Sequence, residues 1–189
     1  MVLQVVGVQV GAVQPLQVGE QRVMSGIRKQ AVRGPVAVGA LGLAGDEQAD
    51  LTVHGGLSKA VYAYPVEHYA FWREHRRALG LSTDLPYGSL GENLTLSGVL
   101  ETSLHVGDEL RFPHCVLRVT QPRAPCYKLN AAMDDPTAVR ALARSGYSGF
   151  YLAVEVPGSV MAGQAFEVVA GPRETPLMTL FRSVRSRHR

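Results

Sequence analysis

The chain has 189 residues, of which 46% are hydrophobic and 19% are charged, and its formal net charge is +3 at pH 7. This composition is typical of a folded globular protein with one substantial core, and it excludes an intrinsically disordered chain. A charge of +3 suits an anionic small molecule or a phosphate group. It is too small to predict nucleic-acid binding.

The cysteine content and the N-terminal sequence exclude several protein classes. Cys115 and Cys126 are too few for a disulfide scaffold, and no zinc-binding spacing of Cys or His accompanies them. The first residues lack a basic region and a cleavage site, so no signal peptide is predicted. No run of about 18 apolar residues occurs, so we expect no membrane span. A reducing, cytoplasmic setting follows as the simplest expectation.

Short apolar segments separated by glycines run through most of the chain and predict strands. The predicted strands are Val2–Val10, Val36–Leu43, Ala60–Tyr64, Asn93–Leu96, Glu109–Phe112, Val116–Gln121, Phe150–Val156 and Ala165–Val169. Two strand entries, VGDELRF at 106–112 and AGQAFEV at 162–168, repeat a similar order of residues, which suits a barrel. We therefore predict a mainly β (α+β) fold, in which a closed or partly closed β-barrel carries a few peripheral helices.

Two segments between the strands predict helices. Over Pro65–Leu79, the proline suits the first helical position and Gly80 suits the position after the helix. Over Pro136–Ser145, Asp135 suits the N-cap and Gly146 suits the end.

The tail over residues 171–189 differs from the rest of the chain. Leu177, Leu180, Phe181 and Val184 follow helical spacing among several arginines, which predicts a short basic amphipathic helix. Such a helix can touch a membrane or a partner. The alternative, which we favour, is a helix that docks on the barrel. The sequence thus predicts a barrel domain over residues 1–170, followed by this tail.

The segment from residue 39 to residue 59 contains two candidate sites. Its glycines match neither a dinucleotide fingerprint nor a P-loop, so they predict tight turns. Asp46, Asp50 and His54 are four residues apart, but strand-forming neighbours argue against the helix that a metal triad would need. His54, the Gly55-Gly56 pair that follows it, and Lys59 could form an anion cradle. The alternative is a hairpin turn with a surface lysine, which this stretch alone favours.

The segment TQPRAPCYKLN, residues 120–130, places a cysteine between two cations. Thiolate is the reactive and metal-binding form of cysteine, and Arg123 and Lys128 would favour it at Cys126. Pro122 and Pro125 restrict the backbone, so the loop would hold the thiol rigidly. A preorganised thiol suits a nucleophile or a soft-metal ligand. The alternative is a buried inert cysteine, which is the interpretation we adopt for Cys115.

Five motifs occur in the order SGIRK (25–29), GLAGDEQADLTVHGGLSKAVYAYPVEHYAFW (42–72), GENLTLSGVLE (91–101), VGDELRF (106–112) and TQPRAPCYKLN (120–130). Taken together, they resemble a MOSC domain, the module first named for the C-terminus of molybdenum cofactor sulfurases. The resemblance covers nearly all of residues 1–170. It is greatest to the small stand-alone bacterial members linked to resistance to N-hydroxylated purines, and it implies a MOSC-like β-rich barrel that binds the molybdenum cofactor, molybdopterin.

The resemblance also implies roles for individual residues. Cys126 matches the family cysteine that ligates molybdenum or, in sulfurase-type members, carries sulfur. It is the expected metal ligand and, with His54, the expected catalytic residue. The residues expected around the pterin and its phosphate are Lys29, Gln48, His54, Lys59, Asn93, Thr120 and Arg123. Where some branches of the family place an arginine before the cysteine, this chain has Pro125, so we expect phosphate recognition to differ.

The resulting hypothesis is a molybdenum-dependent oxidoreductase that reduces N-hydroxylated bases or related N-oxygenated compounds. Its electrons would come from a separate reductase, because no flavin, haem or iron–sulfur motif is present. The first alternative is a non-catalytic cofactor or sulfur carrier that uses a persulfide on Cys126. The second is a cysteine hydrolase that uses His54 or His68 as its base. The sequence does not indicate an oligomeric state.

Overall fold

The computed structural model describes residues 2–49 and 55–186. Within these ranges the strands are β1 (Gln4–Val10), β2 (Gln14–Val18), β3 (Gln21–Ser25), β4 (Gln30–Ala31), β5 (Val36–Gly39), β6 (Gly42–Leu43), β7 (Val61–Pro65), β8 (Leu94–Ser97), β9 (Glu109–Arg111), β10 (Val116–Pro122), β11 (Phe150–Val156), β12 (Gly158–Val160) and β13 (Glu167–Val169). The helices are α1 (Tyr69–Ala78), α2 (Lys128–Ala132), α3 (Ala138–Ser145) and α4 (Leu177–Ser186). Short 3-10 turns cover Leu57–Lys59, Val66–His68 and Glu101–Ser103.

The main sheet has eight strands in the order β13-β9-β10-β11-β7-β8-β1-β4. Its neighbours pair antiparallel, except for β7 and β8, which are parallel. A parallel pair needs a long connection, and here the connection from β7 to β8 contains α1. A three-stranded sheet, β12-β5-β6, and the β2-β3 hairpin complete the strands described. The prediction of a mainly β fold with a few helices is confirmed.

Strand β7 separates two hydrophobic clusters because its side chains alternate between the two faces of the sheet. Val61 and Ala63 belong to the cluster enclosed by the strands. Tyr62 and Tyr64 belong to the second cluster, which they form with residues of α1, α2 and α3. All five residues of β7 are buried, because both faces are covered.

The prediction was a closed or partly closed barrel; the main sheet is open, so closure is wrong for the part of the chain that is described. The segment before β13 meets β1 at a single isolated bridge, between Gln4 and Ala165. Three backbone hydrogen bonds lie beside it, from the nitrogens of Val5, Gly163 and Phe166 to the oxygens of Gln164, Val5 and Leu3 at 2.8, 2.7 and 3.2 Å. The chain turns at Met161–Gln164, where the Gln164 nitrogen donates to the Met161 oxygen, so only a few residues can face β1.

The two predicted helices are present with later starts. Pro65 is the last residue of β7, with an extended ψ of 126°, so a 3-10 turn precedes α1. Asp135 caps the segment before α3 through a 2.8 Å hydrogen bond that its carboxylate accepts from the Thr137 nitrogen. Helix α2, directly after Cys126, was not predicted.

The tail forms the predicted helix and docks on the rest of the protein. Leu177 and Phe181 are buried, and the Asp108 carboxylate accepts a 2.9 Å hydrogen bond from the Gly171 nitrogen. The division into a domain over residues 1–170 and a tail stays a prediction. None of the helices described in 2–49 and 55–186 is long and apolar enough to cross a membrane.

A buried carboxylate organises the loop between α1 and β8. Glu92 accepts hydrogen bonds from the backbone nitrogens of Gly88 at 2.8 Å and Leu90 at 3.2 Å. It also accepts hydrogen bonds from the Tyr69 hydroxyl and, at 3.0 Å, from the Thr95 hydroxyl. Burial raises the pKa of the Glu92 carboxyl above its ordinary value, although these donors oppose the shift.

This raised pKa predicts how stability depends on pH. The folded protein binds the Glu92 proton more tightly than the unfolded chain does. The stability that this group contributes is therefore present below the unfolded pKa and is lost as pH rises through the folded pKa. The substitution Glu92→Gln removes the titration, so the variant should gain stability relative to the unmodified protein as pH rises from 4 to 7.

Urea unfolding at several pH values measures this difference. Glu74→Gln is the control, because Glu74 lies on α1 with an exposed side chain. A stability difference between Glu92→Gln and the unmodified protein that is constant with pH, or that changes in the opposite direction, would contradict the assignment.

Candidate functional site

A cavity lies beside the loop that follows β10. Segments distant in sequence line it, from the end of β3 to the start of β11. The lining residues are Ser25, Gly26, Ile27, Lys29, Asp46, Glu47, Gln48, Ala49, Lys59, Ala60, Tyr62, Gly91, Asn93, Arg123, Ala124, Cys126, Lys128 and Tyr151. Of the predicted site residues within the described ranges, the cavity brings together all but Thr120.

Cys126 lines this cavity and is half-buried. Its loop is held at both ends: Pro122 pairs with Phe150 at the end of β10, and the Cys126 carbonyl accepts a 2.9 Å hydrogen bond from the Leu129 nitrogen. Cys115 differs, because it is buried in the core and burial raises the pKa of its thiol to about 11. The two cysteines therefore occupy the contrasting environments that the sequence predicted.

Arg123 places a buried positive charge in the cavity wall. Its guanidinium donates a hydrogen bond to the Leu90 carbonyl and lies over the Tyr62 ring, 4.8 Å from the ring centroid. Burial alone would lower the pKa of this group, but its interactions with Tyr62, Tyr151 and Cys126 keep the pKa above its ordinary value. The charge is permanent, and no carboxylate of the described residues forms an ion pair with it.

Three lysines add positive charge to the cavity. Lys29 forms a nearly buried ion pair with Asp46, so its charge is partly neutralised. The Lys59 ammonium lies 5.9 Å from the centroid of the Tyr151 ring. Lys128 donates a 3.2 Å hydrogen bond to the Met24 carbonyl.

The Gln48 side chain forms hydrogen bonds with the backbone of two segments, one at Leu41 and one at Gly56. Its amide nitrogen donates to the Leu41 carbonyl at 2.7 Å, and its amide oxygen accepts from the Gly56 nitrogen at 2.8 Å. A side chain on Gly55 would collide with Gln48, and Gly56 has a φ of 86°, so both glycines are needed here. His54, predicted as a catalytic and cofactor-binding residue, lies outside the described residues.

Two predicted ligand-binding residues bind the protein's own backbone. The Asn93 side chain accepts a 3.0 Å hydrogen bond from the Tyr62 nitrogen and donates to the Gln9 carbonyl at 3.3 Å, although it still lines the cavity. The Thr120 hydroxyl donates to the Ser58 and Tyr151 carbonyls at 2.6 and 3.1 Å. Thr120 thus joins the turn that carries Lys59 to strand β11.

Sequence reasoning missed the two tyrosines of the cavity wall. Tyr62 and Tyr151 are neighbours on β7 and β11, with ring centroids 5.3 Å apart. Burial raises the pKa of both phenols. Alternation within AVYAY would have placed Tyr62 and Tyr64 on one face, but it could not have shown that this face adjoins Cys126.

The described residues contain no group of three or more His, Cys, Asp or Glu side chains that could hold a metal ion by themselves. The triad considered for Asp46, Asp50 and His54 falls partly outside those residues. The cavity contains one thiol, four cationic side chains including the buried guanidinium, and two carboxylates, of which Asp46 pairs with Lys29 and Glu47 accepts from the Val13 nitrogen. That set suits an anionic ligand that brings its own metal.

Comparisons with known proteins agree with this fold. The family model described as the MOSC domain matches residues 50–167. The uncharacterised protein YflK of Bacillus subtilis (strain 168) is 37% identical over 166 residues, covering 88% of this chain and 73% of YflK. Protein YiiM of Escherichia coli (strain K12) is 38% identical over 147 residues, covering 77% of this chain and 64% of YiiM.

A third relative is much longer. A protein named reductase from Gibberella moniliformis (strain M3125 / FGSC 7600) is 33% identical over 151 residues, which are 79% of this chain but 26% of that protein. The chain thus spans about a quarter of this relative and less than two thirds of the E. coli YiiM.

Solved structures show the same fold. YiiM from Geobacillus stearothermophilus matches with a TM-score of 0.76 and 30% identity, covering 98% of this chain and 85% of that one. YiiM from Escherichia coli matches with a TM-score of 0.67 and 27% identity, covering 88% of this chain and 73% of that one. With the family model matching more than half of its residues, the chain belongs to the MOSC domain family.

Proposed function

We propose that the cavity binds the molybdenum cofactor and that the protein reduces N-hydroxylated bases or related N-oxygenated compounds. The observation that carries the proposal is Arg123, a buried permanent cation in the wall of a cavity that also contains the Cys126 thiol. A buried charge is costly unless a partner of opposite charge meets it. The described residues supply no carboxylate for it, so an anionic ligand is the natural partner.

The residues of the cavity suit the two ends of such a cofactor. A thiolate is a good ligand for a soft or high-valent metal, which assigns Cys126 to the molybdenum. Arg123, Lys59 and Lys128 would bind phosphate and pterin oxygens through charged hydrogen bonds. When bound, the cofactor supplies the two-electron chemistry that breaks the N–O bond.

The rest of the cavity orients the substrate. Tyr62 and Tyr151 present aromatic faces, which suit a planar base. His54 stays a candidate for orienting the substrate, and Lys59 is a second one. Electrons come from a separate protein, and the relative named reductase supports this class of reaction. The setting we propose is cytoplasmic, where thiols stay reduced.

A second function uses the same thiol without turnover. Cys126 is half-buried and interacts electrostatically with Arg123, and a cation beside a sulfur anion also suits a persulfide. The protein would then carry sulfur or cofactor. A sulfur-sized mass addition on Cys126 that a reductant removes, together with a failure to turn over substrate, would favour this function.

The first prediction concerns the metal. Protein purified from a host that makes the cofactor should contain close to one molybdenum per chain by elemental analysis, and Cys126→Ala should lose most of it, because the thiol ligand is gone. Cys115→Ala is the matched control, since Cys115 is buried outside the cavity. Equal molybdenum content in both variants would show that Cys126 is not a ligand of the metal. If the unmodified protein also contained no molybdenum, the proposal would be refuted.

The second prediction concerns the buried cation. Arg123→Gln removes a charge-assisted contact worth about 1.5–3 kcal/mol, so cofactor affinity should fall by about 10- to 100-fold. Arg123→Lys keeps the charge and should retain more molybdenum than Arg123→Gln. The measurement is molybdenum per chain after dialysis, with thermal unfolding run alongside to verify folding.

Arg118→Gln is the control for this experiment. Arg118 lies on the same strand, β10, but is exposed and pairs with Glu155. If a folded Arg123→Gln variant kept as much molybdenum as the Arg118→Gln control, Arg123 would not bind the cofactor.

A further inference from the structure

A groove of about 510 Å³ lies between helices α1 and α3. Small-molecule sites commonly have volumes of about 300–1,000 Å³, so a ligand of moderate size fits this space. Among the described residues, none lines both this groove and the cavity that contains Cys126. The walls of the groove include Phe71 and His75 of α1 and Thr137, Arg140 and Arg144 of the α3 segment.

The α1 wall of the groove is aromatic. Phe71 and His75 are four residues apart on α1, so they lie on one face of the helix. Their rings are nearly parallel, with an interplanar angle of 14° and centroids 6.0 Å apart. Tyr147 packs edge-on against Phe71 at a centroid distance of 5.2 Å, which restrains the Phe71 ring. The α1 wall therefore presents a flat surface that suits a planar ring of a ligand.

A buried carboxylate before α3 holds His75 in place. The His75 Nε2 atom lies 3.0 Å from Asp135 Oδ2 and 3.1 Å from the Thr137 hydroxyl oxygen. Asp135 Oδ1 accepts 2.8 Å hydrogen bonds from both the nitrogen and the hydroxyl of Thr137. Both carboxylate oxygens of Asp135 are therefore committed to orienting the groove.

Two arginines place positive charge on the α3 wall. Arg140 and Arg144 are four residues apart on α3, both line the groove, and both are exposed. Like charges at this spacing repel each other and destabilise a helix slightly, and an anion bound between them removes that penalty. A phosphate dianion suits this position, because guanidinium groups bind phosphate oxygens through paired, charged hydrogen bonds.

We propose that this groove binds the phosphate monoester of a planar ring, with the phosphate on Arg140 and Arg144 and the ring against Phe71. The two walls make different contacts with such a ligand. Inorganic phosphate uses only the arginines, and an uncharged ring uses only the aromatic wall. The site lies outside the cavity assigned to the cofactor, and its occupation involves no redox step.

The only tryptophan of the chain adjoins this groove and can report its occupation. Trp72 is buried, and its ring centroid lies 5.3 Å from that of Phe71 and 5.8 Å from that of His75. A ring that stacks on this wall should therefore change the fluorescence of Trp72.

The experiment is a titration of the full chain with phenyl phosphate, followed by Trp72 fluorescence. Inorganic phosphate and phenol are titrated separately. We expect a saturable change with phenyl phosphate and an affinity at least about 10-fold higher than for either fragment, because each fragment lacks one of the two contacts.

Variants assign the binding to the groove. Arg140→Gln/Arg144→Gln should weaken the binding of phenyl phosphate by about 10- to 100-fold, because the charged hydrogen bonds are lost. The matched control is Arg111→Gln/Arg118→Gln, which removes the same charge from two exposed arginines of β9 and β10 and should bind as the unmodified protein does. Arg123→Gln should also keep the affinity that Trp72 reports, which separates the groove from the other cationic cavity. Thermal unfolding verifies that each variant is folded.

Three outcomes would overturn the proposal. The first is an equal affinity for phenyl phosphate in Arg140→Gln/Arg144→Gln and in its control. The second is an equal affinity of the unmodified protein for phenyl phosphate and for inorganic phosphate, which would leave only a site for a bare ion. The third is that millimolar phenyl phosphate changes neither Trp72 fluorescence nor the amide NMR shifts of α3. Molybdenum content and turnover do not enter these measurements, so the groove and the proposed function can fail independently.

Discussion

The buried guanidinium of Arg123 is the interaction on which the candidate site depends. It is held by the Leu90 carbonyl on one side and by the face of Tyr62 on the other. Neither partner cancels its charge, so a buried positive charge stays in the cavity that Cys126 also lines. The surrounding architecture can be understood as the means of holding this cation in place without neutralising it.

Two structural features supply the partners of Arg123. Glu92 fixes the loop that contains Leu90, because its carboxylate accepts a hydrogen bond from the Leu90 nitrogen. The Leu90 carbonyl in turn accepts a hydrogen bond from the Arg123 guanidinium. Strand β7 supplies Tyr62, whose side of the sheet faces the helical cluster and not the strand-enclosed core. A change at Glu92 would therefore reach Arg123 through one residue, Leu90, although Glu92 itself does not line the cavity.

The sequence predicted the site best where two functional residues lie close together in one short segment. PRAPC placed Arg123 and Cys126 three residues apart, and the structure places both in one cavity. It was less informative about Gln48, Asn93 and Thr120, whose side chains bind backbone groups that only the folded sheet brings close. A polar residue in a motif segment does not reveal whether its partner is a ligand or the chain itself.

The missed features have a common physical origin, which is that they depend on contacts between distant segments. The Tyr62–Tyr151 pair forms because β7 lies beside β11, a neighbour relation that the local pattern does not encode. The open sheet likewise depends on the turn before β13, beside which the pairing with β1 amounts to one isolated bridge and three backbone hydrogen bonds. Strand alternation predicts the faces of a sheet but not its closure.

The wide separation in sequence of the cavity-lining segments has a consequence for when the cavity can first bind a ligand. Asn93 and Tyr151 line one cavity only after β7 has paired with β8 and β11, and Ser25 joins them from the separate β2-β3 hairpin. Such long-range pairing forms late relative to local structure. The cavity is therefore absent from a nascent or partly synthesised chain, so any ligand that it binds has to enter after the chain has folded.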